Sequence, residues 1–160
     1  MLIPLELVPF FQLTLAMLLG ALIGLERSIA HKKAGMRTFG LVALGSCFFI
    51  MIPEIAGVSR NAIAFDPFRV MAAVITGIGF IGGGLIIYNR ELHGLTTSAG
   101  LWVSAGVGTA VGFGLYSIAL FNCLLTLFTF TVMWYVERFI GSHLELPTRV
   151  EKTDIIDVTR

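Results

Sequence analysis

Charge is scarce in this sequence. Of its 160 residues, 13% are Asp, Glu, Lys or Arg, about half of the ~25% carried by an average soluble domain. A soluble fold of this size could not cover its exterior with so few charges, whereas an exterior facing lipid does not need them. Cysteine is also rare. Cys47 and Cys123 each fall inside an apolar run and read as small buried hydrophobes rather than a disulfide or a metal site. His31, His93 and His143 lack metal-site spacing of the HExxH kind and are expected in solvent. With a net charge of +1 and nothing resembling a basic nucleic-acid-binding surface, no nucleic acid is expected as a partner. No nucleophile–base pair or metal-ligand pair is legible, so no enzyme is expected.

Apolar length is what the chain has in plenty. Hydrophobic residues make up 56%, and crossing ~30 Å of hydrocarbon takes about 20 of them in a row. Five stretches qualify: Val8–Leu25, Thr38–Ile55, Val70–Tyr88, Thr97–Phe113 and Ser117–Val136. The fourth is short and rich in Gly and Ser. The expected fold class is therefore all-α, a polytopic membrane protein with five transmembrane helices in residues 1–138. Residues 139–160 are expected as a short cytoplasmic tail. Met1–Glu6 lacks the basic region of a signal peptide, so the first span is read as part of the mature protein.

Orientation follows from where Lys and Arg collect. Arg27, Lys32, Lys33, Arg37, Arg90, Arg138, Arg149, Lys152 and Arg160 fall on one side of such a bundle, and Arg60 and Arg69 on the other. That predicts an outer N-terminus and a cytoplasmic C-terminus. Trp134 and Tyr135, just before Glu137-Arg138, suit an interfacial anchor.

Small residues recur at helical spacing. Gly20 and Gly24 do so in span one, Gly79 and Gly83 in span three, and Gly100, Ser104, Gly108 and Gly112 in span four. Such a face lets helix backbones approach closely. It serves either the bundle interior of one chain, or a dimer interface or narrow path lined by backbone. The string Gly77-Ile78-Gly79-Phe80-Ile81-Gly82 matches GxGxxG, but it lies in an apolar span with no preceding strand, so a dinucleotide site is not expected. Gly35-Met36-Arg37-Thr38 and Gly94-Leu95-Thr96-Thr97 open spans two and four and hint at a parallel internal repeat.

Ionisable groups within a membrane are functional candidates because they are costly there. Here they stand at span ends. Asp66-Pro67 reads as N-cap and first helical residue, with Arg69 in reach of Asp66. Glu54, Asp66 and Asn61 could make an outer polar site, and Glu54 with Asp66 is the candidate cation pair. Glu26, Arg27 and Arg37 flank the first cytoplasmic loop. Thr96 and Thr97 are candidate caps of span four, with Thr96 the expected N-cap. At the midplane there is no Asp, Glu, His, Lys or Arg.

These residues carry a resemblance. Gly24-Leu25-Glu26-Arg27 with Ala34-Gly35-Met36-Arg37-Thr38 resembles the first signature of the MgtC/SapB family. Asp66-Pro67-Phe68-Arg69-Val70, running into Gly77-Ile78-Gly79-Phe80-Ile81-Gly82-Gly83-Gly84, resembles the second. Gly94-Leu95-Thr96-Thr97-Ser98-Ala99-Gly100-Leu101-Trp102-Val103 resembles the third, and the three together cover roughly residues 15–114. The family often has serine at Phe68, glutamine at Ala73 and threonine at Gly100. Many members also carry a C-terminal cytoplasmic domain, so a short form or a truncated chain is expected.

The resemblance implies a five-helix bacterial inner-membrane protein linked to low magnesium, acid stress and intracellular survival. It implies a regulator or partner of other membrane proteins, among them the F-type ATP synthase; a homo-oligomer is expected as well, from the small-residue faces. An older label implies transport of Mg²⁺ or another ion through the membrane. Mg²⁺ prefers octahedral oxygen ligands, and Glu26 and Asp66, expected on opposite faces, cannot share one. The packing glycines would be Gly77, Gly79, Gly82, Gly83, Gly84, Gly100 and Gly108. No cofactor is expected beyond Mg²⁺ itself.

Overall fold

A computed structural model describes residues 5–60, 66–89 and 91–143. After a single 3₁₀ turn (Leu5–Leu7) come five helices: α1 (Val8–Ile29), α2 (Met36–Arg60), α3 (Pro67–Leu85), α4 (Leu95–Gly112) and α5 (Tyr116–His143). Two three-residue strands, β1 (Ile87–Asn89) and β2 (Glu91–His93), stand between α3 and α4. They pair antiparallel, with Ile87 opposite His93 and Tyr88 opposite Leu92. The described residues up to Thr126 form one compact unit, and the rest of α5, from Leu127, belongs to a second.

The helix boundaries have local causes. Proline stands in the first turn of α1 and of α3, where its missing N–H costs nothing. Asp66 caps α3 through Oδ1, which accepts the Phe68 amide at 3.0 Å. No Asp66–Arg69 ion pair is formed between these two exposed side chains. Only the Arg69 amide reaches back, to the Asp66 carbonyl at 3.2 Å. α1 and α2 are joined through Ser28, whose hydroxyl donates to the Gly24 carbonyl at 3.1 Å and accepts the Met36 amide at 3.2 Å. That one side chain closes the end of α1 and caps the start of α2.

Two boundaries differ from expectation. The third span ends at Leu85 instead of Tyr88. Gly82, Gly83 and Gly84 weaken the last turn, and Ile87 and Tyr88 enter the strand pair, which suits β-branched and aromatic residues. The N-cap of α4 is Gly94 at φ 90°, not Thr96. Leaving β2, the chain turns through the left-handed region, which favours glycine, and a Cβ there would overlap the Leu85 carbonyl. Thr96 and Thr97 sit inside the first turn. Gly114, at φ 73°, makes the reversal between α4 and α5, its amide bonded to the Val111 carbonyl at 2.9 Å.

α4 is the inner helix. It packs on α1, α2 and α3, and ten of its 18 residues are buried. The contact with α2 has a regular register. Ser104 Oγ donates to the Phe39 carbonyl at 2.9 Å. One turn on, Gly108 lies so close to Ala43 that a Cβ would overlap its carbonyl, and after another turn Gly112 faces the Cys47 carbonyl and Ile50. The two helices therefore run parallel, four residues against four. α1 meets the same stretch of α2, where Cβ atoms at Gly20 and Gly24 would come within 2.6 Å of the Phe39 carbonyl and 2.8 Å of the Gly35 carbonyl. α1 thus runs antiparallel to α2.

Large apolar side chains point outward. Phe10, Leu41, Phe80 and Phe121 are 68%, 65%, 89% and 67% exposed, while the small residues of α4 line the interior. Four helices are long and apolar enough to cross a membrane: α1, the Met36–Pro53 part of α2, α3, and α5 over Tyr116–Gly141. α4 falls outside that set, since it faces neighbouring helices and its Ser, Thr and Gly need not meet lipid. At 1.5 Å per residue, the 28 residues of α5 extend about 42 Å, past the expected end of the span at Val136.

Gly108 and Gly84 make a discriminating pair. Gly108→Ala drives a Cβ into backbone and should destabilise by about 1–3 kcal/mol. Gly84→Ala has no atom within 4 Å to meet and should be neutral. Thermal unfolding of the purified chain in one detergent compares them, and equal losses would contradict the α2–α4 contact.

Candidate functional site

The candidate residues divide between the two ends of the bundle. The loop between α1 and α2 and the hairpin between α3 and α4 share one end, because α2 and α4 run parallel. Glu26, Arg27, Arg37, Thr96 and Thr97 are grouped there. Arg27 Nε donates to Glu26 Oε2 in an ion pair between sequence neighbours. The guanidinium side chain is buried, 5% of the residue being exposed, and burying it is tolerable only because it is paired. Arg37 and Thr96 are exposed and Thr97 is buried. Asp66 and Arg69, both exposed, stand at the other end. There the Phe68 and Phe113 rings, 6.5 Å apart, bring the start of α3 beside the end of α4. Glu26 and Asp66 are therefore a helix length apart.

Among the described residues no group of three or more His, Cys, Asp or Glu comes together as a metal site. The Glu54 side chain and Asn61 lie outside the described residues, and so does the suggested Glu54–Asp66 pair. An open cleft of about 200 Å³ between Leu15, Leu19, Tyr116, Ser117 and Leu120 is almost wholly apolar. It has none of the convergent polar groups of a small-molecule site.

The glycines fall into two classes. Gly100 and Gly108 are buried in α4, and Gly82 faces Ser98 across the α3–α4 contact, where a Cβ would stand 3.6 Å from the serine Cβ. Gly77, Gly79, Gly83 and Gly84 are exposed, and no atom stands within 4 Å of where their Cβ would be. α3 buries only Ile78 and Gly82. Its outward face bears Ala72, Ala73, Thr76, Gly77, Gly83 and Gly84 around the protruding Phe80.

Sequence reasoning missed the polar groups that tie α4 to its neighbours. Gln12 Nε2 donates to the Val111 carbonyl at 3.1 Å and lies 3.4 Å from that of Gly112. Ser98 Oγ donates to the Gly82 carbonyl at 2.7 Å. With Ser104, these anchor α4 to α1, α3 and α2 in turn. The available signal was Gln12 itself. A lone amide in an apolar span must find a partner, and the last carbonyls of a helix, which lack partners within the helix, can supply one.

Fold and burial pattern define a multi-pass α-helical membrane protein. The chain belongs to the MgtC family, whose model matches residues 13–139. It is 40% identical over 138 residues to SrpB of Synechococcus elongatus, covering 80% of this chain and 76% of that protein. It is 37% identical over 149 residues to SapB of Bacillus subtilis (90% and 62% covered) and, over the same length, to MgtC of Salmonella typhi (92% and 62% covered). It is also 36% identical over 125 residues to a protein of Escherichia coli K12 described as the putative magnesium transporter YhiD (76% and 58% covered). The chain thus spans about three-fifths of the length of SapB, MgtC and YhiD. No solved structure matches it.

Removing the Gln12 amide tests its anchoring role. Gln12→Leu keeps the volume and should cost about 0.6 kcal/mol, with ~1.7 as the upper end for such bonds in membranes. The shift is read from the unfolding temperature, and an unchanged temperature would show that the bond contributes nothing.

Proposed function

We propose that the chain is a bacterial inner-membrane protein that acts by contact, as a regulator or partner of other membrane proteins. Its setting would be the adaptation to low magnesium, acid stress and intracellular survival that the family resemblance implies. The F-type ATP synthase is the partner that resemblance names, and a second copy of the chain is the simplest one. The Lys and Arg bias puts the α1–α2 loop in the cytoplasm.

One observation carries this reading. At the close approaches of α1 and α4 to α2, glycine or serine stands at the contact, yet among the described residues Gly77, Gly79, Gly83 and Gly84 of α3 meet no neighbouring element. Lipid tails gain nothing from a small-residue face, whereas a neighbouring helix does. The buried polar side chains support the same reading. Gln12 and Ser104 are committed to helix–helix hydrogen bonds. Ion transport, the alternative suggested by the name of the Escherichia coli relative YhiD, would need polar groups turned toward a path.

The face can be altered without disturbing the fold, because both sites are open. Gly77→Leu/Gly84→Leu should leave the unfolding temperature within ~1 °C, since substitutions at sites without contacts are usually near neutral. It should abolish the homo-oligomers and co-purifying membrane proteins recovered with the wild-type chain in polymer-bounded native membrane discs. Equal recovery from the two chains would refute the assignment.

A further inference from the structure

The cations of the α1–α2 loop are of two kinds. Arg27 is buried and paired with Glu26. Lys32, Lys33 and Arg37 are exposed, and none has an ion-pair partner among the described residues. No acidic residue occurs between Glu26 and Glu54, so the sequence offers these three no local counter-charge. They are also held in place. The Ala30 amide bonds to the Glu26 carbonyl at 2.9 Å, His31 to Ser28 at 3.1 Å and Lys32 to Arg27 at 2.9 Å. Met36 is fastened to Ser28 Oγ. The loop is thus folded tightly against the ends of two apolar helices, and in a chain that crosses a bilayer such helix ends lie near the headgroups.

Below them lies an apolar track. Leu18, Leu22, Leu25 and Ile29 follow one another at helical spacing on one face of α1 and are 55%, 42%, 38% and 70% exposed. It ends three residues before Lys32. A ligand matching both features has a long hydrocarbon tail and an anionic head that suits the three exposed cations.

We infer that this corner binds an anionic phospholipid, its phosphate held by Lys32, Lys33 and Arg37 and an acyl chain lying along Leu18–Leu22–Leu25–Ile29. Charge complementarity selects the lipid from its zwitterionic neighbours, since a basic side chain at an anionic leaflet contributes about a fivefold preference. Height selects lipid over an acidic protein segment, because the cations stand where headgroups already are. The site is separate from the exposed face of α3, and each can fail without the other.

The test uses the full chain in phosphatidylcholine vesicles with a trace of spin-labelled phosphatidylglycerol or spin-labelled phosphatidylcholine. The motionally restricted fraction gives their relative association. The wild-type chain should prefer phosphatidylglycerol by about fivefold or more, less at high salt. Lys32→Gln/Lys33→Gln/Arg37→Gln should bring the ratio toward one, while Lys32→Arg/Lys33→Arg/Arg37→Lys should keep it. If the triple glutamine variant does not fold, Lys33→Gln alone, outside both helices, should still lower the ratio. A ratio unchanged by the glutamine substitutions overturns the assignment. So does displacement of the labelled lipid by millimolar inorganic phosphate, which would make the site one for a free anion. Wild-type preference near one overturns it too.

Discussion

The architecture depends on one contact: the small-residue face of α4 against the carbonyl edge of α2. Ser104, Gly108 and Gly112 meet Phe39, Ala43 and Cys47 in step, so the two backbones approach as closely as helices can. In lipid, helices are not driven together by the hydrophobic effect, because the tails are as apolar as the side chains. Dispersion between close backbones and a few hydrogen bonds must supply the association. A larger residue at Gly108 removes both, since the steric block lies in the backbone and cannot rotate away.

Other features follow from α4 being inside. Enclosed by α1, α2 and α3, it can carry Ser, Thr and Gly and stop at 18 residues. Its polar ties go one to each neighbour: Gln12 on α1, Ser104 to α2 and Ser98 to α3. The charged residues are left for the ends, where Glu26 neutralises the buried Arg27 and Asp66 is taken up in capping α3. α3, lying outside, has glycines on a face that the chain itself does not use.

Much of the fold was legible in the sequence because membrane crossing demands apolar length, and length is easily read. The Asp66-Pro67 start of α3 was legible for a local reason, since cap and proline act on their own helix. The end of α3 was not. Ile87 and Tyr88 are as apolar as the span before them, and only their pairing with Leu92 and His93 shows where the helix stops. The start of α4 was misplaced because Thr96 is a good cap in isolation, while Gly94 is required by the path of the chain past Leu85. The glycines were visible as a spacing, but spacing is the same for Gly108, which is packed, and Gly84, which is open. Which side of a helix faces protein is a tertiary fact. Gln12 showed itself as a polar residue in an apolar span, but its partner lies about a hundred residues away.

The functional reading rests on where the chain has spent its polar groups. A bundle whose interior serine and glutamine bind backbone carbonyls is built to hold together, and the open glycine face of α3 is what the proposed partner role would use. Magnesium flux decides between this account and a transporter. Purified chain reconstituted into liposomes enclosing a fluorescent Mg²⁺ reporter should give uptake no faster than protein-free liposomes across a hundredfold range of external Mg²⁺. Saturable, protein-dependent uptake that is lost in Asp66→Ala would contradict the account.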